Sequence, residues 1–312
     1  MKTAILLIST GSPRSCKTKD VAAYLSRFLN NKRIISLPYL LRSALVNFII
    51  VPCKAKKSAK RYKQLTDMYN GEFPLLYHCN SVKKELEKTL PADIYIGMSY
   101  GKPYIGDTIR EILSNTYEKL IVLPMFPHYT SSATGVPFEI IMKEFSISRK
   151  MPEIVTINGF HKNEGFINSF AEKIKEYNPH EYDDIIFTYH SLPLSHIKKY
   201  DKEYFTMCDQ TTELICAKLN IGKKTTCFQS QMNNKWLGPS AESILLKLAG
   251  EGKKKILVVS PSFVLDCIET DIEIGVEMRD FFIENGGKEL TQVKSLNDSP
   301  VWINSLKEIV TF

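Results

Sequence analysis

Short apolar runs recur along the chain, with polar, helix-periodic stretches between them. In the first half they are AILLIS (4–9), DIYIGMS (93–99), KLIVLP (119–124) and EIVTIN (153–158); in the second they are DIIFTYH (184–190), TTCFQS (225–230) and KILVVSP (255–261). Between them DVAAYLSRFL, VKKELEKTL, IGDTIREIL, GFINSFAEKIKEY, TTELICAKL and AESILLKLAG carry apolar residues at helical spacing. Strands alternating with helices predict parallel sheets flanked by helices. The alternation runs twice, four strands and then three, and restarts after a loop at 158–165. The pattern therefore predicts an α/β protein of two similar lobes, residues 1–157 and 158–312, facing one cleft. No low-complexity linker separates them, so they are expected to pack as one unit.

Doubly wound sheets bind ligands outside the carboxyl ends of their strands. The strand ends here are Ser9-Thr10-Gly11, Ser99-Tyr100-Gly101, Pro127-His128-Tyr129, His190-Ser191, Gln229-Ser230 and the stretch 262–269. They are polar and aromatic. Neither GxGxxG nor GxxxxGK[ST] occurs, which disfavours a nucleotide site.

Three stretches carry candidate chemistry. A helix beginning near Asp266 would align Glu269, Glu273 and Glu277 at i, i+4 and i+8 along one face. Like charges at that spacing repel, so the row is either a solvated stripe or a buried line compensated by cations, shared protons or water. His190, at the end of a predicted central strand, offers an imidazole able to take a proton or bind a divalent metal, with Glu269 as a partner across the cleft. In FPHYTSSATG (126–135), Ser131, Ser132 or Thr134 could cap a helix, while His128 and Tyr129 leave a strand end. His161 reads as a surface or packing residue, and His78, His180 and His196 as structural. Lys54, Lys56, Lys57, Lys60 and Arg61 form a basic run on a predicted helix.

Composition narrows the class. With 312 residues, 44% hydrophobic and 24% charged, the chain is an ordinary globular protein. Its net charge of +7 favours an anionic partner without choosing among nucleic acid, phosphate, a membrane surface or a polycarboxylate ligand. Seven cysteines, with no CxxC pair, suggest neither a disulfide framework nor a zinc ribbon, and fit a reduced cytosol. The opening MKTAILLISTGSP leads into a Gly-Ser-Pro turn and reads as a first strand rather than a signal peptide. LPYLLRSALVNFIIVP, interrupted by Arg42 and Asn47, falls short of a membrane span and could lie against a surface or line an apolar pocket.

The segments LLISTGSP, IGMSYGKP, VLPMFPHYTSSATG, TYHSLPLS, CFQS followed by WLGP, and PSFVLDCIET stand in the order of the ferrochelatases, and the chain resembles that family over its whole length. The resemblance implies a chelatase-like fold of two Rossmann-like lobes. It implies a lyase that inserts Fe2+ into a porphyrin, protoporphyrin IX or coproporphyrin III, in haem biosynthesis, with release of two protons. It carries the family's active-site histidine onto His190 and its metal-site glutamate onto Glu269. The acidic line behind that glutamate falls on Glu273 and Glu277, and porphyrin-facing positions fall on Ser9, Thr10, Tyr100, His128 and Tyr129. Where the family commonly has arginine, this chain has Ser99 and, after Ser230, Gln231; Lys102, Lys56 or Lys57 are the candidate replacements in propionate anchoring. Ferrous iron is then a substrate, and no permanently bound cofactor is expected. The end at Phe312, without a cysteine-bearing extension, implies no iron–sulfur cluster. The implied location is the cytoplasm, with no nucleic-acid partner; peripheral membrane contact and oligomeric state stay open. The rival readings are a chelatase for another metal or tetrapyrrole and a non-catalytic tetrapyrrole- or haem-binding protein.

Overall fold

The structure is a computed structural model that describes residues 2–222 and 224–311. The chain divides into two compact units, one formed by the residues up to Met125 with Ser131–Asn158, the other by Phe126–Thr130 with the residues from Gly159 onward. The short excursion Phe126–Thr130 takes His128 and Tyr129, expected as an end of the first sheet, into the second unit.

In the first unit β1 (Thr3–Ser9), β2 (Asp93–Met98), β3 (Lys119–Pro124) and β4 (Glu153–Thr156) form a sheet of order β2-β1-β3-β4, parallel throughout. β1 is central, and Ala4 to Ile8 are all buried. Successive strand side chains point to opposite faces. Ala4, Leu6 and Ile8 thus join Leu120 and Val122 against Ile105, Ile109 and Ile112 of helix Ile105–Ser114 and Ile141 and Phe145 of helix Gly135–Ile147. Two loops at the carboxyl end approach so closely that side chains are excluded. Gly11 has φ +91°, and a Cβ on it would stand 2.6 Å from the Gly101 nitrogen.

In the second unit β5 (Asp184–His190), β6 (Thr225–Gln229), β7 (Lys255–Val259) and β8 (Glu289–Gln292) form a parallel sheet of order β6-β5-β7-β8. The sequence pattern anticipates three of these strands. β8 is a four-residue edge strand in which Leu290 alone is buried, too little apolar signal to read. Ile186, Cys227, Ile256 and Val258 pack on Leu245 and Leu248 of helix Ala241–Gly250 and on Ile274, Met278 and Phe282. Helices Glu164–Lys175 and Pro300–Val310 meet where Phe166 packs edge-on to the fully buried Trp302.

Two segments are π-helical, Val46–Ile50 and Glu269–Met278. Such i→i+5 geometry is rare and gathers at functional sites. The second segment is the helix expected from Asp266; it opens later, at Glu269, and in a wider winding than the α-helix the spacing suggested.

Candidate active site

β5 ends in His190, and the register pairs it with Gln229, the last residue of β6. The imidazole is half-buried, and its Nδ1 lies 2.6 Å from the carbonyl oxygen of Ser191. A carbonyl only accepts, so Nδ1 carries the proton and donates. In the neutral ring Nε2 is then unprotonated, with its lone pair available for a proton or a metal. The strand end is braced from behind: the Tyr204 hydroxyl donates to the His190 carbonyl at 2.8 Å, and the Ser191 hydroxyl to the Leu237 carbonyl at 2.7 Å. Burial pushes the Tyr204 hydroxyl well above its usual range, so it stays a neutral donor.

Glu269 reaches the same end of the sheet from the other side. Gln229 is fully buried, and its Nε2 donates to the Glu269 carbonyl at 3.0 Å. His190, Gln229 and the first π-helical residue are thereby tied in series. Along that helix Glu269 and Glu273 are half-buried and Glu277 is exposed, so the row runs from the sheet end to solvent. The Ser230 hydroxyl lies 2.8 and 2.7 Å from the two Glu273 carboxylate oxygens. Ser230 holds that position from a left-handed backbone, φ +59°, which is uncommon for a residue other than glycine. The neighbouring Gln231, where the resemblance leads to an arginine being expected, donates to the Trp236 carbonyl at 3.1 Å.

A lysine does serve this helix, but on different acids. Asp266 and Asp271, both buried, share Lys294, and Asp266 also accepts from the Ser295 N–H and the Asn297 amide. Burial opposes the Lys294 charge, yet the two aspartates outweigh it and raise the ammonium's pKa. Beside Glu269 the Cys267 thiol is pushed well above its usual pKa, by burial first and then by the Glu269 charge, so it stays protonated. Among the described residues no group of three or more His, Cys, Asp or Glu is assembled to hold a metal.

His128 lies deeper in the second unit. It is 4% exposed, edge-on to Tyr189 and Tyr204, with Nε2 2.9 Å from the Thr211 hydroxyl and Nδ1 3.3 Å from the Ser262 hydroxyl. Thr211 gives its proton to a backbone carbonyl of His161 or Met207, so it accepts from His128 Nε2–H and leaves Nδ1 to accept from Ser262. Burial, with a smaller push from His161, lowers its pKa to about 3. His128 is thus a neutral support under the His190 strand end with both nitrogens engaged, while Tyr129 beside it is 36% exposed. His161, read as surface or packing, is part-buried and bonded to Gln210 at 3.2 Å.

At the carboxyl end of the first sheet, the Ser99 and Tyr100 N–H groups donate to the Ser9 and Thr10 carbonyls at 2.9 and 3.0 Å, bringing Ser9, Thr10 and Tyr100 together. Arg27 donates to the Tyr100 carbonyl at 2.5 Å and stacks 4.6 Å over the Tyr104 ring. Tyr100 is buried, and its hydroxyl lies against the Asn31 side chain. Burial raises its pKa, against the opposing pull of Arg33. Thr134, one of the three residues weighed as a cap, heads helix Gly135–Ile147 without a side-chain cap bond. Lys56 and Lys102 are exposed. Tyr204, Thr211, Asp271 and Lys294 escaped sequence reasoning, because their roles come from partners distant in the chain.

Two parallel four-stranded sheets flanked by helices give this chain a chelatase-like fold. The solved sirohydrochlorin chelatase SirB from Bacillus subtilis subspecies spizizenii, in complex with cobalt, shares the fold at a TM-score of 0.58 and 11% identity, covering 99% of this chain and 93% of that one. Within that class the chain belongs to the ferrochelatase family, whose model matches residues 2–312. It is 35% identical over 313 residues to the coproporphyrin III ferrochelatase of Enterococcus faecalis, covering 99% of each chain. To the ferrochelatase of Idiomarina loihiensis it is 32% identical over 321 residues, covering 99% of this chain and 87% of that one.

Proposed function

We propose that this chain is a lyase that inserts ferrous iron into coproporphyrin III, with protoporphyrin IX as the alternative substrate. The names carried by relatives in Enterococcus faecalis and Lactococcus lactis support the first choice. The reaction replaces two pyrrole N–H protons with one Fe2+; each nitrogen keeps its electron pair and turns it to the metal. His190 Nε2 takes one of those protons; the Glu269 carboxylate either takes the second or replaces water on the arriving iron, the second proton then passing to solvent water. Glu273 and Glu277 pass ions between the site and solvent. We assign porphyrin contact to Ser9, Thr10, Tyr100, His128 and Tyr129, as the family resemblance implies. Binding energy bends the macrocycle toward its metal-accepting shape. Iron is substrate here, no permanent cofactor or iron–sulfur cluster takes part, and the enzyme works in the cytoplasm. Among the described residues no helix is long and apolar enough to cross a membrane.

The observation that carries this reading is the Nδ1–H bond to the Ser191 carbonyl, which leaves His190 Nε2 free to act. A purely binding protein has no need of a poised base. The test is anaerobic ferrous iron with each porphyrin, followed by absorbance. Metalation faster with coproporphyrin is expected, and His190→Ala should lose at least about a hundredfold in turnover, within the range of a general base. Metalation of neither porphyrin, or near-normal turnover in a folded His190→Ala variant, would overturn it.

A further inference from the structure

Gln229 is fully buried at the end of β6, and only half of its side chain is hydrogen-bonded. Its Nε2 donates to the Glu269 carbonyl at 3.0 Å, while its Oε1 is buried without a partner among the described residues. The orientation is forced: with the amide reversed, two oxygens would face each other. An unpaired buried acceptor is unfavourable, and an apolar side chain of the same length would avoid it. The amide is therefore not there for packing.

Its connections run to both halves of the proposed site. The Gln229 carbonyl accepts from the Ser191 N–H at 2.8 Å, and the Ser191 carbonyl is the group that fixes the His190 tautomer. The Gln229 amide holds the carbonyl of Glu269, first residue of the π-helix. A continuous line of three hydrogen bonds therefore joins the His190 imidazole to the Glu269 backbone, and Gln229 is its central member.

We propose that Gln229 is a positioning residue for metal insertion, setting where the Glu269 carboxylate stands relative to His190 Nε2. This rests on the assignment of those two residues to iron insertion. Gln229 itself touches neither iron nor porphyrin. Releasing the tie lets the first turn of the π-helix drift, and small misplacements of reacting groups are costly in rate.

The test uses the full chain with ferrous iron and coproporphyrin. In Gln229→Met the turnover number should fall about tenfold and the iron KM rise, with the porphyrin KM within about twofold and the melting temperature unchanged, since the amide acts on geometry rather than on binding. Gln229→Glu gives a second readout that survives poor folding of the first variant. A protonated carboxyl donates to the Glu269 carbonyl and a carboxylate cannot, so its turnover relative to the parent should rise as pH falls from about 8 to about 6, burial having raised its pKa. Parent-like kinetics in Gln229→Met alongside an inactive His190→Ala would overturn this proposal and leave the site assignment standing. Loss of porphyrin affinity and melting temperature together with turnover, or a flat pH ratio for Gln229→Glu, would make Gln229 merely structural. An active His190→Ala would remove the assignment itself, and this proposal with it.

Discussion

Two histidines show how environment divides one side chain into two roles. His190 keeps a free Nε2 at a half-buried strand end, whereas His128 has both nitrogens bonded and a pKa lowered to about 3. The depressed value has a consequence for stability. An unfolded imidazole binds a proton near pH 6.5, and folded His128 does not until about pH 3, so the unfolded chain holds the extra proton between those values. This contribution is therefore fully present above about pH 6.5 and is lost as pH falls toward 3. Moving from pH 7 to 5 should cost about 2 kcal/mol from this one group. His161, also lowered by burial, acts with the same sign. Denaturant unfolding at both pH values should show His128→Gln less stable than the parent at pH 7 but losing less on acidification. Equal losses would place the acid sensitivity elsewhere.

The π-helix Glu269–Met278 decides what the acidic row can do. Lys294 pairs with Asp266, just ahead of the helix, and with Asp271 inside it, while Glu273 receives the Ser230 hydroxyl. Glu273→Gln combined with Glu277→Gln should slow turnover several-fold and leave the porphyrin KM unchanged, the signature of lost transition-state or metal-delivery interactions. Steady-state kinetics in iron and porphyrin separately check it; unchanged values in both would make the row a solvated face. The spacing of these glutamates is legible in sequence, but the winding is not, because side chains at i, i+4 and i+8 fit either helix. The seven strands other than β8, and the strand-end placement of His190, Gln229 and Glu269, are legible because parallel strands read as short apolar runs. His128 is different: its strand exit can be read, but its partner Thr211 lies 83 residues away, and no local pattern encodes that distance. The same holds for β8, whose single buried leucine leaves no period to detect.

On the scale of the whole molecule, residues 39–50 contradict the ordinary inside-out rule. The polar residues turn in: Arg42 is buried with its guanidinium on the Leu37 carbonyl at 2.7 Å, and Asn47 accepts from Ser26 at 2.6 Å. The apolar ones turn out, with Leu40 78% and Phe48 81% exposed beside Leu41 and Ile49. The buried face, Val46, Val51 and Ala55 on Leu25 and Leu29, already anchors the segment, so the outer face is not needed for folding. A contiguous exposed apolar face marks a surface that something covers. A porphyrin offers a flat apolar ring edged by carboxylates, and the basic run from Lys54 to Arg61 follows directly along helix Val51–Asp67. If the segment covers the ring, burying parts of two large side chains is worth about 1.4 kcal/mol, roughly tenfold in affinity. Leu40→Gln with Phe48→Gln should then raise the porphyrin KM about tenfold while the iron KM and the melting temperature stay as in the parent. An unchanged porphyrin KM, with loss of binding to anionic vesicles in a flotation assay, would assign the same face to a membrane surface instead.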